Sequence, residues 1–184
     1  NNSGDLFVIA ADASATFAGT VAATSFNGIP FFSDVTNGSM YTHNVSGTDD
    51  TAQKNAAYGF NALDAITTGD KNVAIGYDAG TAMTTGVQNT IVGAEAGDAL
   101  TTGYYNTAMG YNALTSSVSG RNATAFGYQA LASENATNNE TYNVAVGFEA
   151  GRAVTTGTLN TIVGGLAGDA LTTGLSNTAL GMRA

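Results

Sequence analysis

The stretch that decides the fold is Asn72-Val-Ala-Ile-Gly-Tyr-Asp-Ala-Gly-Thr-Ala-Met-Thr-Thr-Gly-Val-Gln88. Its pattern returns every 17 residues. The first glycine recurs at Gly59, Gly76, Gly93, Gly110 and Gly127, then, after a three-residue insertion, at Gly147, Gly164 and Gly181. Each is followed three residues later by alanine, from Ala62 to Ala184. A fixed short period of this kind marks a solenoid, in which each repeat is one coil that buries its apolar face only against its neighbours. A second glycine recurs at Gly69, Gly86, Gly103, Gly120, Gly157 and Gly174. Two glycines per repeat predict two turns joining two short strands, since each apolar segment of about five residues suits a strand better than a helix. The expected fold is all-β: a parallel β-roll of about eight coils over residues 55–184.

Alternation along the first strand assigns its faces. One face carries Tyr58, Ile75, Val92, Met109, Phe126, Val146, Val163 and Leu180, with Ala56, Val73, Thr90, Thr107, Thr124, Val144, Thr161 and Thr178 two residues earlier. The other face carries Ala57, Ala74, Ile91, Ala108, Ala125, Ala145, Ile162 and Ala179. One of these faces closes on the second segment of the coil, through Ile66, Met83, Leu100, Val154 and Leu171. The other needs a partner, and closed cyclic self-association is the default for identical chains. A size exchange runs along the repeat. Where the middle strand residue is Ile (Ile91, Ile162), the residue after the glycine is small (Ala94, Gly165); elsewhere that residue is large, as at Phe60, Tyr77, Tyr111, Tyr128, Phe148 and Met182. The expectation is that these two positions share one space.

Asparagine opens most coils, at Asn55, Asn72, Asn89, Asn106, Asn143, Asn160 and Asn177. Stacked at one strand spacing, their amides form a hydrogen-bonded ladder. The ladder breaks at Ala123, and the insertion follows within residues 133–142. That segment reads as a bulging surface loop, and Glu134, Asn135, Asn138, Asn139, Glu140 and Tyr142 in it are the candidate receptor contacts.

Residues 1–54 lack the repeat and read as a β-structured shaft or neck. Asp5–Ala10 and Ala15–Phe26 read as strands; Asn27-Gly28, Pro30 and Asn37-Gly38 read as turns. Asn1 is not an initiator methionine and Ala184 falls within a repeat, so the chain reads as part of something longer.

Composition narrows the function. Charged residues are 10% of the chain and the net charge is −9, with five bases and no basic stripe. Nucleic acid and anionic lipid are therefore not the expected partners. There is no cysteine and no apolar run of the roughly 20 residues that span a membrane. Neither a nucleophile-elbow pattern nor a phosphate-binding glycine motif occurs. His43, near Asp34 and Asp49-Asp50, reads as a turn histidine; Asp98 and Asp169 read as solvated carboxylates rather than a calcium loop. The expectation is a non-enzyme without cofactor or metal.

Asn72-Val-Ala-Ile-Gly76 and Asn143-Val-Ala-Val-Gly147 resemble the Asn/Ser-x-Ala-Ile-Gly core of trimeric autotransporter adhesin heads, although the period here is longer. Asn106-Thr-Ala-Met-Gly-Tyr-Asn-Ala-Leu114 resembles repeats of phage tail-fibre and other virion proteins, and residues 15–28 resemble a stretch common in phage fibre shafts. The resemblance implies a parallel homotrimer of left-handed β-rolls that attaches to a host surface. Its implied partners are sister chains, other virion or tail proteins, and a host glycan or protein receptor. The virion is the expected location, with a bacterial cell-surface adhesin head as the alternative. The threonine ranks Thr67-Thr68, Thr84-Thr85, Thr101-Thr102, Thr155-Thr156 and Thr172-Thr173 open a further alternative, an ice-binding solenoid. A polysaccharide-cutting fibre would need paired carboxylates facing a groove, and Glu134 and Glu140 are the only glutamates near each other.

Overall fold

A computed structural model describes residues 25–26, 29–30, 32–34, 39–42, 51–135 and 140–184. Within them the chain is all-β, with no helix. Two short antiparallel strands, β1 (Ser25–Phe26) and β2 (Ile29–Pro30), pair with each other. Then β3 (Phe32–Asp34) pairs antiparallel with β4 (Ser39–Tyr41). From β4 onward every pairing is parallel: β5 (Ala56–Tyr58), β6 (Val73–Ile75), β7 (Thr90–Val92), β8 (Thr107–Met109), β9 (Thr124–Phe126), β10 (Val144–Val146), β11 (Thr161–Val163) and β12 (Thr178–Leu180) follow in chain order. These nine parallel strands are the spine of a β-solenoid of about eight turns. At one parallel strand spacing per coil, β5 and β12 lie about 34 Å apart.

The register repeats the sequence period. Ala57 faces Ala74, Ala74 faces Ile91 and Ile91 faces Ala108. The insertion is absorbed without a slip, since Ala125 faces Ala145 across the longer coil. A slip of one residue would turn every side chain to the opposite face.

Only one strand forms per coil. The second segment, expected as a strand, is a series of bends whose backbone still bonds to the next coil. Gly80 N–H donates to the Ala96 carbonyl (2.9 Å) and Thr84 N–H to that of Thr101 (3.0 Å). The reason is the left-handed turning points. The second residue after each first glycine, such as Asp78 (φ 53°) and Glu95 (φ 55°), and the fourth, such as Leu63 (φ 55°) and Gly80 (φ 59°), bend the coil too often for a second ladder to extend. Pro30 lies in β2 rather than in a turn; in a two-residue strand the missing N–H breaks no longer ladder.

The first glycine is required at Gly147. Its φ is +138°, and a Cβ there would sit 2.6 Å from the Gly164 carbonyl oxygen of the next coil. Both the backbone conformation and the coil spacing exclude a side chain.

The interior is narrow and built in layers. The alanine three residues after each glycine, from Ala62 through Ala167, is buried, as are the middle strand residues from Ala57 to Ile162. Opposite them lie Ile66, Met83, Leu100 and Val154, all buried, and Leu171, which is partly buried. Fully burying each such side chain contributes roughly 1.5–3 kcal/mol. The flanking strand residues point out: in β6, Val73 is partly exposed and Ile75 is exposed.

The size exchange is real, but its partner is not the residue after the glycine. Phe60 and Tyr77 are exposed and Ala94 is half-buried, so they cannot fill space vacated by a core residue. Ile91 instead fills the space over Gly97, whose Cβ would meet Ile91 Cδ1 at 3.2 Å; Ile162 does the same over Gly168. Coils with Ala57, Ala108 and Ala125 carry the buried Leu63, Leu114 and Leu131 at that place. Two of the coils therefore put their bulk on the strand and three put it on the opposite bend; the two with neither, Ala74/Gly80 and Ala145/Gly151, are filled from the adjacent coils by Leu63 and by Ile162 and Leu131.

The leader joins the solenoid sheet directly. Met40 faces Ala56 and Tyr41 faces Ala57, so β4 forms a first layer beneath coil one, and Tyr41 is buried there. The expected strands before Ser25, the Asn27-Gly28 and Asn37-Gly38 turns and His43 lie outside the described residues.

The layered core makes a sharp expectation. Ile91→Ala removes a buried side chain and costs about 2–5 kcal/mol. Adding Gly97→Leu, which copies the Ala57/Leu63 coil, restores part of that loss. Urea unfolding of both single variants and the double variant measures the coupling; strict additivity would contradict the shared space.

Candidate functional site

The inner polar row is the asparagine ladder. Asn55, Asn72, Asn89, Asn106, Asn143 and Asn160 are buried, while Asn177 in the last coil is exposed. The interior amides bond both to the neighbouring rung and to the backbone, as Asn89 shows. Asn89 Nδ2 donates to Asn72 Oδ1 (3.0 Å) and to the Gly103 carbonyl (2.9 Å), and Asn89 Oδ1 accepts the backbone N–H of Asn106 (2.9 Å). The side chain thereby satisfies backbone groups at the corner where the strand begins, which would otherwise be buried without partners. Ser39 caps the row, its hydroxyl oxygen accepting the N–H of Asn55 (3.1 Å).

At the break, Ala123 N–H still donates to Asn106 Oδ1 (2.9 Å), but no amide oxygen is left for the next rung. Glu134 supplies a carboxyl oxygen instead, to the Asn143 side-chain amide. It is not a surface-loop residue: it is fully buried, and its Oε1 accepts from Asn143 Nδ2 (3.3 Å). It stands in the row of Ile66 and Met83, and Ser117 occupies that row in the coil before, so two adjacent layers are polar where the others are apolar. Glu134 Oε2 and Ser117 Oγ have no hydrogen-bond partner among the described residues. Burial pushes the Glu134 carboxyl above its ordinary value; Thr141, Asn143 and Ser117 nearby pull it back in part, the two hydroxyls without reaching hydrogen-bond geometry.

The remainder of the candidate receptor loop divides. Asn135, Glu140 and Tyr142 are exposed, and Tyr142 Oη donates to Glu140 Oε2 (2.9 Å). Glu140 also pairs in parallel with Arg121 through the backbone, which ties the loop's return to coil four. Asn138 and Asn139 lie outside the described residues. Glu134 and Glu140 are a buried and an exposed carboxyl, and only Glu140 faces solvent.

The threonine ranks serve the coil stack. Thr67 Oγ1 donates to the Thr84 carbonyl (3.0 Å), and Thr101 Oγ1 to that of Val118 (3.0 Å). Asp98 accepts the Thr115 hydroxyl of the next coil and Asp169 is exposed.

Two outward features complete the surface. One large apolar residue per coil lines the strand face: Tyr58 (55% exposed), Ile75, Val92, Met109, Phe126 (50%), Val146, Val163 and Leu180 (75%). One residue beyond each glycine, aromatic rings stack coil on coil, a grouping missed at the level of sequence because those positions read as core. Phe60 and Tyr77 stack at 6.1 Å, Tyr111 and Tyr128 at 5.5 Å, and Tyr128 and Phe148 at 5.1 Å. The signal was present as large residues at a fixed offset after the glycine.

In comparisons with known proteins, no family, no curated protein and no solved structure matches the chain.

Two outcomes follow from the ladder. Asn89→Ala strands the buried N–H of Asn106 and costs at least about 1–3 kcal/mol, far more than Asn177→Ala at the exposed end; thermal melts of both variants decide it. Because the folded-state value of Glu134 is raised, its contribution to stability is fully present below the ordinary Glu value of 4.5 and is lost as pH rises through the raised value. Glu134→Gln keeps the acceptor for Asn143 and removes the charge. Its melting temperature should exceed that of the wild type at neutral pH and fall below or match it in acid; a lower value at both would contradict the role.

Proposed function

We propose that the chain is a non-enzymatic structural fibre element of a phage virion, a parallel homotrimer that supports attachment to the host cell surface. The observation that carries this reading is the apolar strand face. A side chain as large as Tyr58, Ile75, Phe126 or Leu180 stands outward in coil after coil. Contiguous apolar surface on this scale marks a protein interface. The row repeats at one residue per coil because the strands are in register, so the partner that covers it along its length is another stack with the same period. A second copy of the chain meets that requirement, and closed rotation about a common axis covers every face at once.

The number three, the virion and the host surface come from the resemblance of the Asn-x-Ala-x-Gly coils to adhesin heads and phage fibres. Receptor contact is assigned to the exposed Asn135, Glu140 and Tyr142 beside the insertion. The ice-binding alternative is weakened because the Thr67 and Thr101 hydroxyls already donate to the next coil.

Native mass tests the assembly. Analytical ultracentrifugation should give three times the 18.4 kDa of one chain. Ile75→Asp with Val146→Asp, which places charge in the covered row, should dissociate the particle while the far-ultraviolet spectrum stays β-rich. A wild-type monomer in solution would refute the reading.

A further inference from the structure

The aromatic stack is interrupted at Ala94. Phe60 and Tyr77 stack before it; Tyr111, Tyr128 and Phe148 stack after it. The face of Tyr77 turned away from Phe60 and the face of Tyr111 turned away from Tyr128 therefore border a one-coil gap floored by the small, half-buried Ala94. Two strand spacings set these rings about 10 Å apart. A stacked flat ring needs less room than that. A tetrahedral quaternary ammonium centred in the gap lies about 5 Å from each ring, inside the roughly 6 Å over which a cation is attracted to an aromatic face.

The charge at the mouth has the matching sign. Glu95 follows Ala94 directly, and its Oε2 accepts the Tyr111 hydroxyl (3.3 Å). Asp78 stands at the same position one coil earlier, held by Asn61 Nδ2 (2.9 Å). Among the described residues neither carboxylate has an ion-pair partner. Glu95 holds the Tyr111 phenol above its ordinary value, and Asp78 and then Glu95 do the same for Tyr77; the field that opposes a phenolate favours a cation. The second gap in the stack, at Gly165, is a built-in comparison. It lies between Phe148 and Met182, is followed by Leu166 where the first gap has Glu95, and Glu149, in the place of Asp78, is paired with Arg152 (3.5 Å).

We propose that the gap between Tyr77 and Tyr111 is a binding slot for a quaternary ammonium group, with Glu95 and Asp78 supplying the counter-charge. The slot is built from the coil stack of one chain alone.

The probe is tetramethylammonium chloride, titrated into the whole chain at low ionic strength and followed by tyrosine fluorescence and proton NMR. Saturable binding is expected, with neopentyl alcohol, a neutral molecule of like shape, binding at least several-fold more weakly. Ala94→Tyr fills the gap as Tyr77 and Tyr111 do in neighbouring coils and should abolish binding with the melt unchanged. Glu95→Gln should weaken it several-fold, and Gly165→Tyr should leave it intact. Phosphatidylcholine vesicles and phosphocholine on a soluble carrier then separate a membrane headgroup from a decorated polymer as the source; retention by neither, with tetramethylammonium bound, assigns the slot to a free ligand. No saturation by tetramethylammonium in the wild type, or saturation undiminished by Ala94→Tyr, overturns the proposal.

Discussion

The structure depends on coil-to-coil hydrogen bonding held to one strand spacing. That spacing is short enough that Gly147 admits no side chain beneath Gly164, and regular enough that an amide in one coil reaches the same amide in the next. The asparagine row and the glycine row are two expressions of one constraint. Glycine permits the approach of the backbones; asparagine fills the polar vacancy that the sharp corner leaves behind. A core only a few side chains wide is sufficient because every layer is capped by another layer rather than by solvent.

The break at Ala123 shows how the constraint tolerates change. The insertion lengthens one coil by three residues, yet the strands on either side remain in register. Glu134 crosses the interior to replace the lost acceptor, and a polar layer with Ser117 follows from that. Burying a carboxyl is expensive unless it is neutral or well bonded, so this coil is the place where the solenoid is least apolar and most sensitive to pH. The exposed Glu140 and Tyr142 lie beside it. The exposed residues beside the insertion and the least regular core layer thus share one coil.

Much of this was legible in the sequence because repetition amplifies weak signals. A single Asn-x-Ala-x-Gly is uninformative, but its return in five coils, with the first glycine in all eight, fixes the strand, its register and the asparagine row. Local reading failed where the answer depended on the third dimension. Whether Tyr77 fills the core or stacks outside cannot be read from its spacing, since both placements repeat with the same period; its true neighbours are Phe60 one coil back and the gap at Ala94. The exchange partner of Ile91 was missed for the same reason, because Gly97 looked like another turn glycine. Glu134 read as a loop residue because charge in an irregular segment is ordinarily solvated, and only the missing rung at Ala123 makes it internal. The second strand of each coil was expected from apolar pattern alone; left-handed residues such as Leu63 and Leu131, which are not glycine, broke it into bends.

The central claim is that buried asparagine amides bind neighbouring coils into one stack. Residue-resolved hydrogen exchange by NMR tests it most directly. The backbone N–H groups of Asn72, Asn89, Asn106, Ala123 and Asn160, together with the side-chain amides of Asn72 and Asn89, should exchange only at the rate of global unfolding. Rapid exchange at those sites, in a chain that is otherwise folded, would contradict the account.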